Sequence, residues 1–309
     1  MAANKKSSLR SGGLPQDFEL RVRRNEPMSK HTSLHVGGPA DLYFEPRDRP
    51  DLAAFLRSLP ADLPIHWIGL GSNLLVRDGG IRGAVIALHG ALGRLDRESQ
   101  TTVYCEAGVP GARLAKQCIK WGMNDAAFFA GIPGTLGGAL AMNAGAFGGE
   151  TWRHVREVEL MARDGDITRH QAAEFKVAYR HVESPFVDRW FVAARLGFEQ
   201  GGQVDDRAIR ELLQKRKESQ PIGSWNCGSV FVNPPGDHAA RLIEASGLKG
   251  YRVGGAVVSD KHANFIINEG AATAADVETL IAHIQQQIQA RHGVMLTTEV
   301  RMLGEAIKP

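Results

Sequence analysis

Residues 130–150 read AGIPGTLGGALAMNAGAFGGE, carrying Gly131, Gly134, Gly137, Gly138, Gly145, Gly148 and Gly149 and no charge before Glu150. Without a Cβ, a bound group can approach the main chain, and bare N–H groups can cradle an anion. Glycine clusters also mark tight turns. A flexible tether is usually polar, whereas this stretch is threaded with Ile132, Leu136, Leu140, Met142 and Phe147. That mixture suits a buried glycine-rich wall. A second stretch, GLGSNLL at 69–75, half-resembles a dinucleotide fingerprint. Gly69 and Gly71 fit it, but Leu74 stands where the third glycine belongs, and the turn-rich VRDGGIRG that follows cannot be the required helix. What remains is a nest of amides between two strands, able to take a phosphate. A Walker A lysine, a GxSxG elbow and an HExxH motif are all missing, which removes the simplest ATPase, hydrolase and zinc-protease readings.

Period and punctuation predict the elements that hold these stretches. ADLYFEP reads as a strand, and residues 48–59 as a short helix with Pro50 near its start and Pro60 ending it. IHWIGL and AVIAL are compact strands separated by GSN and DGG turns. The strand TTVYCEAG leads into the helix GARLAKQCIKWGM, with Leu114, Cys118 and Trp121 on one face. VREVELMAR and ITRHQ form a hairpin through DGD, and RWFVAARLGF is a further strand. GGQVDD, beginning at Gly201, reads as a linker. The helix at 205–218 carries KRK at 215–217, which reads as a solvated helix end. A helix over 275–291 buries Val277, Leu280, Ile281, Ile284 and Ile288, with Thr273 as N-cap and Gly293 as its stop. LTTEVRML reads as a closing strand, with Leu296, Thr298, Val300 and Met302 on one face and Thr297, Glu299 and Arg301 on the other. Regular βαβ alternation is missing, so the class is α+β rather than a doubly wound sheet.

The 309 residues, 43% hydrophobic and 23% charged, suffice for two or three globular domains. A net charge of +3 fits an anionic small ligand and is too weak to argue for nucleic acid. Cys105, Cys118 and Cys227 are odd in number, widely spaced and without a CxxC, which argues against a disulfide framework and against a metal site. MAANKKSSLRSGG is basic without an apolar core, so it does not read as a secretory signal, and no run approaches the roughly 18 apolar residues of a membrane span. The expectation is a cytoplasmic protein with no membrane partner.

Three blocks in order, IGLGSNLLVRDGGIRG, AGIPGTLGGALAMNAGAFGGE and CGSVFVNP, together resemble the UDP-N-acetylenolpyruvoylglucosamine reductase family (MurB). HTSLHVGGPADLYF at 31–44, VVSDKHANFIIN at 257–268 and the final EVRMLG resemble further family blocks, so the likeness runs over roughly residues 28–304. It implies an α+β fold: a two-part FAD-binding region of the vanillyl-alcohol-oxidase/PCMH type, then a smaller α+β substrate-binding domain. Residues 1–27 would be a disordered arm, 28–90 and 91–200 the two FAD-binding subdomains, and 201–309 the substrate domain.

The resemblance implies non-covalent FAD, NADPH as co-substrate and reduction of UDP-N-acetylglucosamine enolpyruvate to UDP-N-acetylmuramate. Gly69, Gly71, Ser72 and Asn73 would face the FAD diphosphate. Gly131, Ile132, Gly134, Thr135, Gly138, Asn143 and Gly145 would line the flavin. Arg180 in YRHV, Ser229 in CGSVF and Glu299 in EVRMLG match the family's catalytic positions. Arg180 would hold the substrate carboxylate, Glu299 would share a hydrogen bond with it, and Ser229 would deliver a proton. Asn233, Lys261 and His262 would meet the substrate.

The chain also departs from the family pattern. Val232 stands where the family usually has Lys or Arg, which puts one basic contact in doubt; Lys261 and His262 are the nearby candidates to replace it. Val182 stands where a serine commonly follows, His31 where an asparagine does and Leu34 where an aromatic does. The short interval between Arg180 and Ser229 holds Trp190 and Trp225 but no tyrosine, like the family's type II form, and leaves Trp225 and Asn226 as candidates to clamp the substrate. Two other readings stay open here: another FAD oxidase of this fold with the flavin tethered through His or Cys, and an inactive nucleotide-binding relative.

Overall fold

The computed structural model describes residues 13–199, 201 and 206–307. Its first unit holds Gln16–Glu19 (α1), Arg23–Pro27 (β1), Pro39–Phe44 (β2), Arg49–Ser58 (α2), Ile65–Ile68 (β3), Leu74–Val76 (β4) and Ile81–Ala87 (β5). They form a mixed sheet of order β1-β2-β5-β3, with β1 antiparallel and the other pairings parallel. Asp48 caps α2 by accepting from the Asp51 N–H at 2.9 Å, as the Asp-Arg-Pro opening requires.

Residues 13–27 are not an arm. Phe18 is buried edge-on against Phe44 and Phe55, and β1 pairs with β2. Arg21 forks onto both carboxylate oxygens of Asp51, at 2.7 and 2.6 Å. One aromatic anchor and one bidentate pair fix a segment that its charged residues and the basic stretch before it conceal. The rest of the expected arm, residues 1–12, lies outside the described residues, as do 202–205 of the expected linker.

The second unit holds Leu95–Arg97 (β6), Thr102–Glu106 (β7), Gly111–Lys120 (α3), a 3-10 stretch Asn124–Gly131, Leu136–Met142 (α4), Gly145–Ala146 (β8), Gly149–Glu150 (β9), Val155–Ala162 (β10), Ile167–Gln171 (β11), Lys176–Ala178 (β12), His181–Glu183 (β13) and Arg189–Gly197 (β14). Its antiparallel sheet has the order β11-β10-β14-β7-β6. Met161 and Val192 of this sheet enter the same core as Phe44 and Phe55. Beside them Arg49 donates to the buried Glu159 at 2.6 Å. Apolar contact and a paired buried charge therefore join the first two units.

The third unit holds Asp206–Ser219 (α5), Trp225–Asn226 (β15), Ala239–Ala245 (α6), Arg252–Val253 (β16), Ala256–Val258 (β17), Ile266–Asn268 (β18), Ala274–His292 (α7) and Arg301–Leu303 (β19). The small sheet β15-β18-β17-β16 packs with α6 and α7 around a core that also takes Leu34, Val36 and Leu75 of the first unit. The α7 N-cap Thr273 and the Gly293 stop, at φ 69°, follow the sequence reading, and Asp276 completes a capping box with Thr273. Asp78 of the first unit accepts from the Ala274 and Ala275 N–H groups, both at 2.9 Å. β19 runs parallel to β4 and returns the chain end to the first unit.

The closing strand is shorter than its alternation predicts. Ladder pairing covers only Arg301–Leu303, and residues 297–300 lie against the segment after Ser229. The Glu299 and Val300 N–H groups both point at the Val230 carbonyl, at 2.8 and 3.3 Å. Two donors on one carbonyl break the alternation, and the Glu299 side chain is 12% exposed rather than facing water.

Candidate active site

Two glycine-bearing loops meet where the first and second units join. A Cβ on Gly69 would lie 2.4 Å from Thr135 Oγ1, and one on Gly134 would lie 3.3 Å from Ser72 Oγ. Gly71 has φ +62°, and a Cβ there would sit 2.0 Å from the His31 carbonyl oxygen. Glycine here permits loop contact. Gly138 differs: it lies within α4, lines the cavity, and a Cβ there would meet nothing within 4 Å. That position is a bare patch of helix facing open space.

The loops wall a cavity of about 520 Å³, a size suited to a bound small molecule. Its lining takes in the expected Gly69, Gly71, Ser72, Asn73, Gly131, Ile132, Gly134, Thr135, Gly138 and Gly145. Arg180, Ser229 and Glu299, from three separated segments, line it as well. A second hollow of about 510 Å³ shares Met142, Arg180, Glu299 and Arg301 with the first, so the Arg180–Glu299 pair stands between them. A third, of about 320 Å³, shares Ile68, Gly69 and Leu70.

Arg180 occupies the two-residue turn between β12 and β13 with φ 57°. Left-handed backbone costs a non-glycine residue about 1–2 kcal/mol. The guanidinium donates from Nη2 to the Gly145 carbonyl at 3.0 Å and from Nη1 to the Asn143 carbonyl at 3.4 Å. Nε lies 3.2 Å from Glu299 Oε1. Burial pushes the Glu299 carboxyl above the ordinary glutamate range, and Arg180 opposes that shift without cancelling it.

Ser229 sits at a tight turn. Gly228 has φ 78°, and its N–H donates to Asn226 Oδ1 at 2.9 Å. Beyond the turn, Asn264 clamps the chain. Its Oδ1 accepts from Phe231 N–H at 2.9 Å, and its Nδ2 donates to the Phe231 carbonyl at 2.8 Å. Its own carbonyl takes the Val230 N–H at 2.9 Å. The Val230 carbonyl in turn takes the Glu299 N–H, so backbone bonding links the Ser229 and Glu299 segments. Asn73 reaches the same place, donating to the Glu299 carbonyl at 3.1 Å. Among the described residues the Ser229 hydroxyl has no protein hydrogen bond.

Several expected residues lie away from this lining. Asn143 is 1% exposed, and its amide is occupied within the protein: Oδ1 accepts from Trp152 N–H at 3.0 Å and Nδ2 donates to the Ala178 carbonyl at 3.1 Å. Asn233 caps α6 by accepting from Ala239 N–H at 3.0 Å. Lys261 donates to the Lys217 carbonyl, and the His262 ring packs edge-on against Phe265. Val232 faces the second hollow. Asn226 spends its amide on its own turn, and Trp225 stacks on His35 at 4.5 Å. Arg216, Gln220, Cys227, Phe265 and Arg301 line the cavity without having been singled out as site residues. Burial pushes the Cys227 thiol up to about 12, so it is no thiolate at neutral pH.

Residues 40–171 match the model of an FAD binding domain, which with the glycine-walled cavity defines the class as a flavoenzyme. Residues 220–303 match the C-terminal domain of UDP-N-acetylenolpyruvoylglucosamine reductase. A relative named for that reductase in Alkalilimnicola ehrlichii is 56% identical over 286 residues, covering 92% of this chain and 95% of the relative. One from Methylococcus capsulatus is 53% identical over 283 residues, covering 91% and 93%. The crystal structure of the reductase (MurB) from Thermus caldophilus aligns with 92% of this chain and 99% of its own at a TM-score of 0.79 and 32% identity. The chain belongs to the UDP-N-acetylenolpyruvoylglucosamine reductase family, and its fold is the FAD-binding region followed by that family's C-terminal domain.

Proposed function

We propose that this chain reduces the enol ether of UDP-N-acetylglucosamine enolpyruvate to the lactyl ether of UDP-N-acetylmuramate, using NADPH and non-covalent FAD, in peptidoglycan precursor synthesis. The observation that carries this reading is the meeting of Arg180, Ser229 and Glu299 on one glycine-walled cavity. The bare patch at Gly138 and the amides of residues 69–73 fit a flavin dinucleotide: the first admits a flat ring, the second a diphosphate. When bound there, FAD supplies the hydride that NADPH provides.

The remaining chemistry falls to the protein. Hydride arrival at the terminal carbon drives negative charge onto the adjacent carbon and its carboxylate. Arg180 stays charged and holds that carboxylate as its charge grows. Burial raises the Glu299 pKa, which favours the protonated form that can share a hydrogen bond with the same carboxylate. Ser229 Oγ gives its proton to the adjacent carbon, a transfer open to a weak acid because the acceptor is carbanion-like. Its freedom from other hydrogen bonds leaves it available for this step.

The division of residues 28–90 and 91–200 as FAD-binding parts and 201–309 as the substrate part is supported by the three sheets, with β1 added to the first. No helix among the described residues is long and apolar enough to cross a membrane. We place the enzyme in the cytoplasm, with the small-molecule UDP-sugar as partner and neither nucleic acid nor membrane. An anaerobic visible spectrum tests the whole reading. The flavin band must bleach with NADPH and return with the enolpyruvyl UDP-sugar. A band that returns only with oxygen would instead mark an oxidase.

A further inference from the structure

Ser229 is the proton donor of the reaction proposed above, yet no protein group holds its hydroxyl among the described residues. Such a hydroxyl is placed by its main chain alone, and that main chain is fixed on both sides. Before it, the Gly228 N–H donates to Asn226 Oδ1 at 2.9 Å. After it, residues 230–232 run antiparallel to residues 297–299. The Glu299 N–H donates to the Val230 carbonyl at 2.8 Å, and the Val232 N–H to the Thr297 carbonyl at 2.9 Å. Phe231 stands opposite Thr298 between these two bonds. The N–H and C=O of a residue so placed point away from its partner. On that far side the Asn264 side chain meets both: Oδ1 accepts from the Phe231 N–H at 2.9 Å, and Nδ2 donates to the Phe231 carbonyl at 2.8 Å. The Asn264 carbonyl also takes the Val230 N–H at 2.9 Å.

Asn264 is 4% exposed and lines none of the three hollows, so it is not itself a ligand contact there. Its amide holds a donor and an acceptor in one plane on a short stem, the set that the N–H and C=O of one residue need. Aspartate lacks the donor, and alanine would leave both buried main-chain groups without a partner. We infer that Asn264 is a positioning residue for Ser229. It fixes Val230 and Phe231, and through them the place of Ser229 Oγ relative to the carbon that must be protonated. This deepens, and rests on, the reductase reading above. Two features point to placement rather than to bulk stability alone. All three of these bonds fall on the two residues that follow Ser229. The Val230 peptide they hold is also the one that takes the Glu299 N–H, so the proton donor and the Glu299 segment share a single support. A donor displaced by about 1 Å can lose about a hundredfold in rate.

The test uses holoenzyme carrying Asn264→Ala or Asn264→Asp, each in the parent and in the Ser229→Ala background. Stopped flow reads bleaching by NADPH and the return of the flavin band with saturating enolpyruvyl UDP-sugar. The return is repeated in deuterium oxide, and UDP-N-acetylmuramate affinity is read from the flavin spectrum. Asn264→Ala slows the return by about tenfold or more, while bleaching and product affinity stay within about twofold. The solvent isotope effect on the return rises, because proton delivery becomes the slower step. Asn264→Asp keeps the side-chain volume and the acceptor for the Phe231 N–H, slows the return in the same way, and carries the test should Asn264→Ala not fold. In the Ser229→Ala background either substitution adds less than about twofold, since the group it positions is gone. Equal slowing of both half-reactions overturns the proposal, as does a lower melting temperature with the return and its isotope effect unchanged. Full additivity with Ser229→Ala does the same, and so does a loss confined to product affinity. Failure of the underlying reading shows separately, in a parent enzyme that does not reoxidise with the enolpyruvyl sugar.

Discussion

Arg180 Nε stands 3.2 Å from Glu299 Oε1, yet that buried N–H makes no hydrogen bond in the protein. The pair is close in charge but not aligned, so Arg180 lowers the Glu299 pKa less than burial raises it. The sign of the resulting pH dependence follows. Between the ordinary value of 4.5 and the raised folded one, the folded state holds a proton that the unfolded state has lost. That stability is fully present below the unfolded pKa and is lost as pH rises through the folded pKa. Glu299→Gln cannot titrate. Its melting temperature, relative to the parent, therefore climbs as pH rises through this window. A difference that shrinks with rising pH would mean that Arg180 holds Glu299 ionised.

Ser229→Ala separates hydride supply from proton delivery. The hydroxyl has no other partner among the described residues, so its loss leaves the fold, FAD binding and bleaching by NADPH intact. Return of the flavin band with the enolpyruvyl sugar slows by about 10²–10⁴-fold, the usual worth of a positioned general acid. Stopped-flow reoxidation near the parent rate would remove Ser229 from that role.

Two glycines make opposite predictions because their missing Cβ atoms face different things. Gly71→Ala forces a side chain into left-handed backbone and against the His31 carbonyl, lowering stability by more than about 1 kcal/mol. Gly138→Ala adds a methyl inside a helix with nothing in its way, so stability holds or rises by about 0.5–1 kcal/mol. On the proposed placement of the flavin the same methyl occupies its space, and FAD affinity falls by about tenfold or more. Denaturant melts of the apoprotein and FAD titrations read the two effects apart. An unchanged FAD affinity in Gly138→Ala would move the flavin away from α4.

The helix α7 was legible because period, N-cap and glycine stop all agree in one short window. The glycine walls were legible as walls, since apolar residues between glycines exclude a tether. The inward turn of Arg216 was not. Helical period places it on a face, but what covers that face is built from loops far away in the chain. Glu299 was legible as a site residue only through its motif: alternation sets it opposite Val300, and the segment after Ser229 that covers it is distant in the chain. Phe18 was hidden by the charged residues around it, although its aromatic partners lie only a few dozen residues on.

Asn143 was expected among the flavin contacts, and the structure gives its amide other work. In left-handed backbone at φ 47°, it ends α4, accepts from Trp152, donates to the carbonyl of Ala178 at the foot of the Arg180 turn, and lends its own carbonyl to Arg180. It is a positioning residue for that guanidinium. Asn143→Gly tests this cleanly, because glycine tolerates the backbone while deleting the amide. The loss leaves the Trp152 N–H buried without its partner, at a cost of about 1–3 kcal/mol in a melt. FAD affinity stays within about twofold, a change worth under about 0.5 kcal/mol. Substrate-driven reoxidation slows, with NADPH-driven bleaching preserved, because the loosened turn no longer holds Arg180 against the substrate carboxylate. A fall in FAD affinity with reoxidation intact would return Asn143 to the flavin wall.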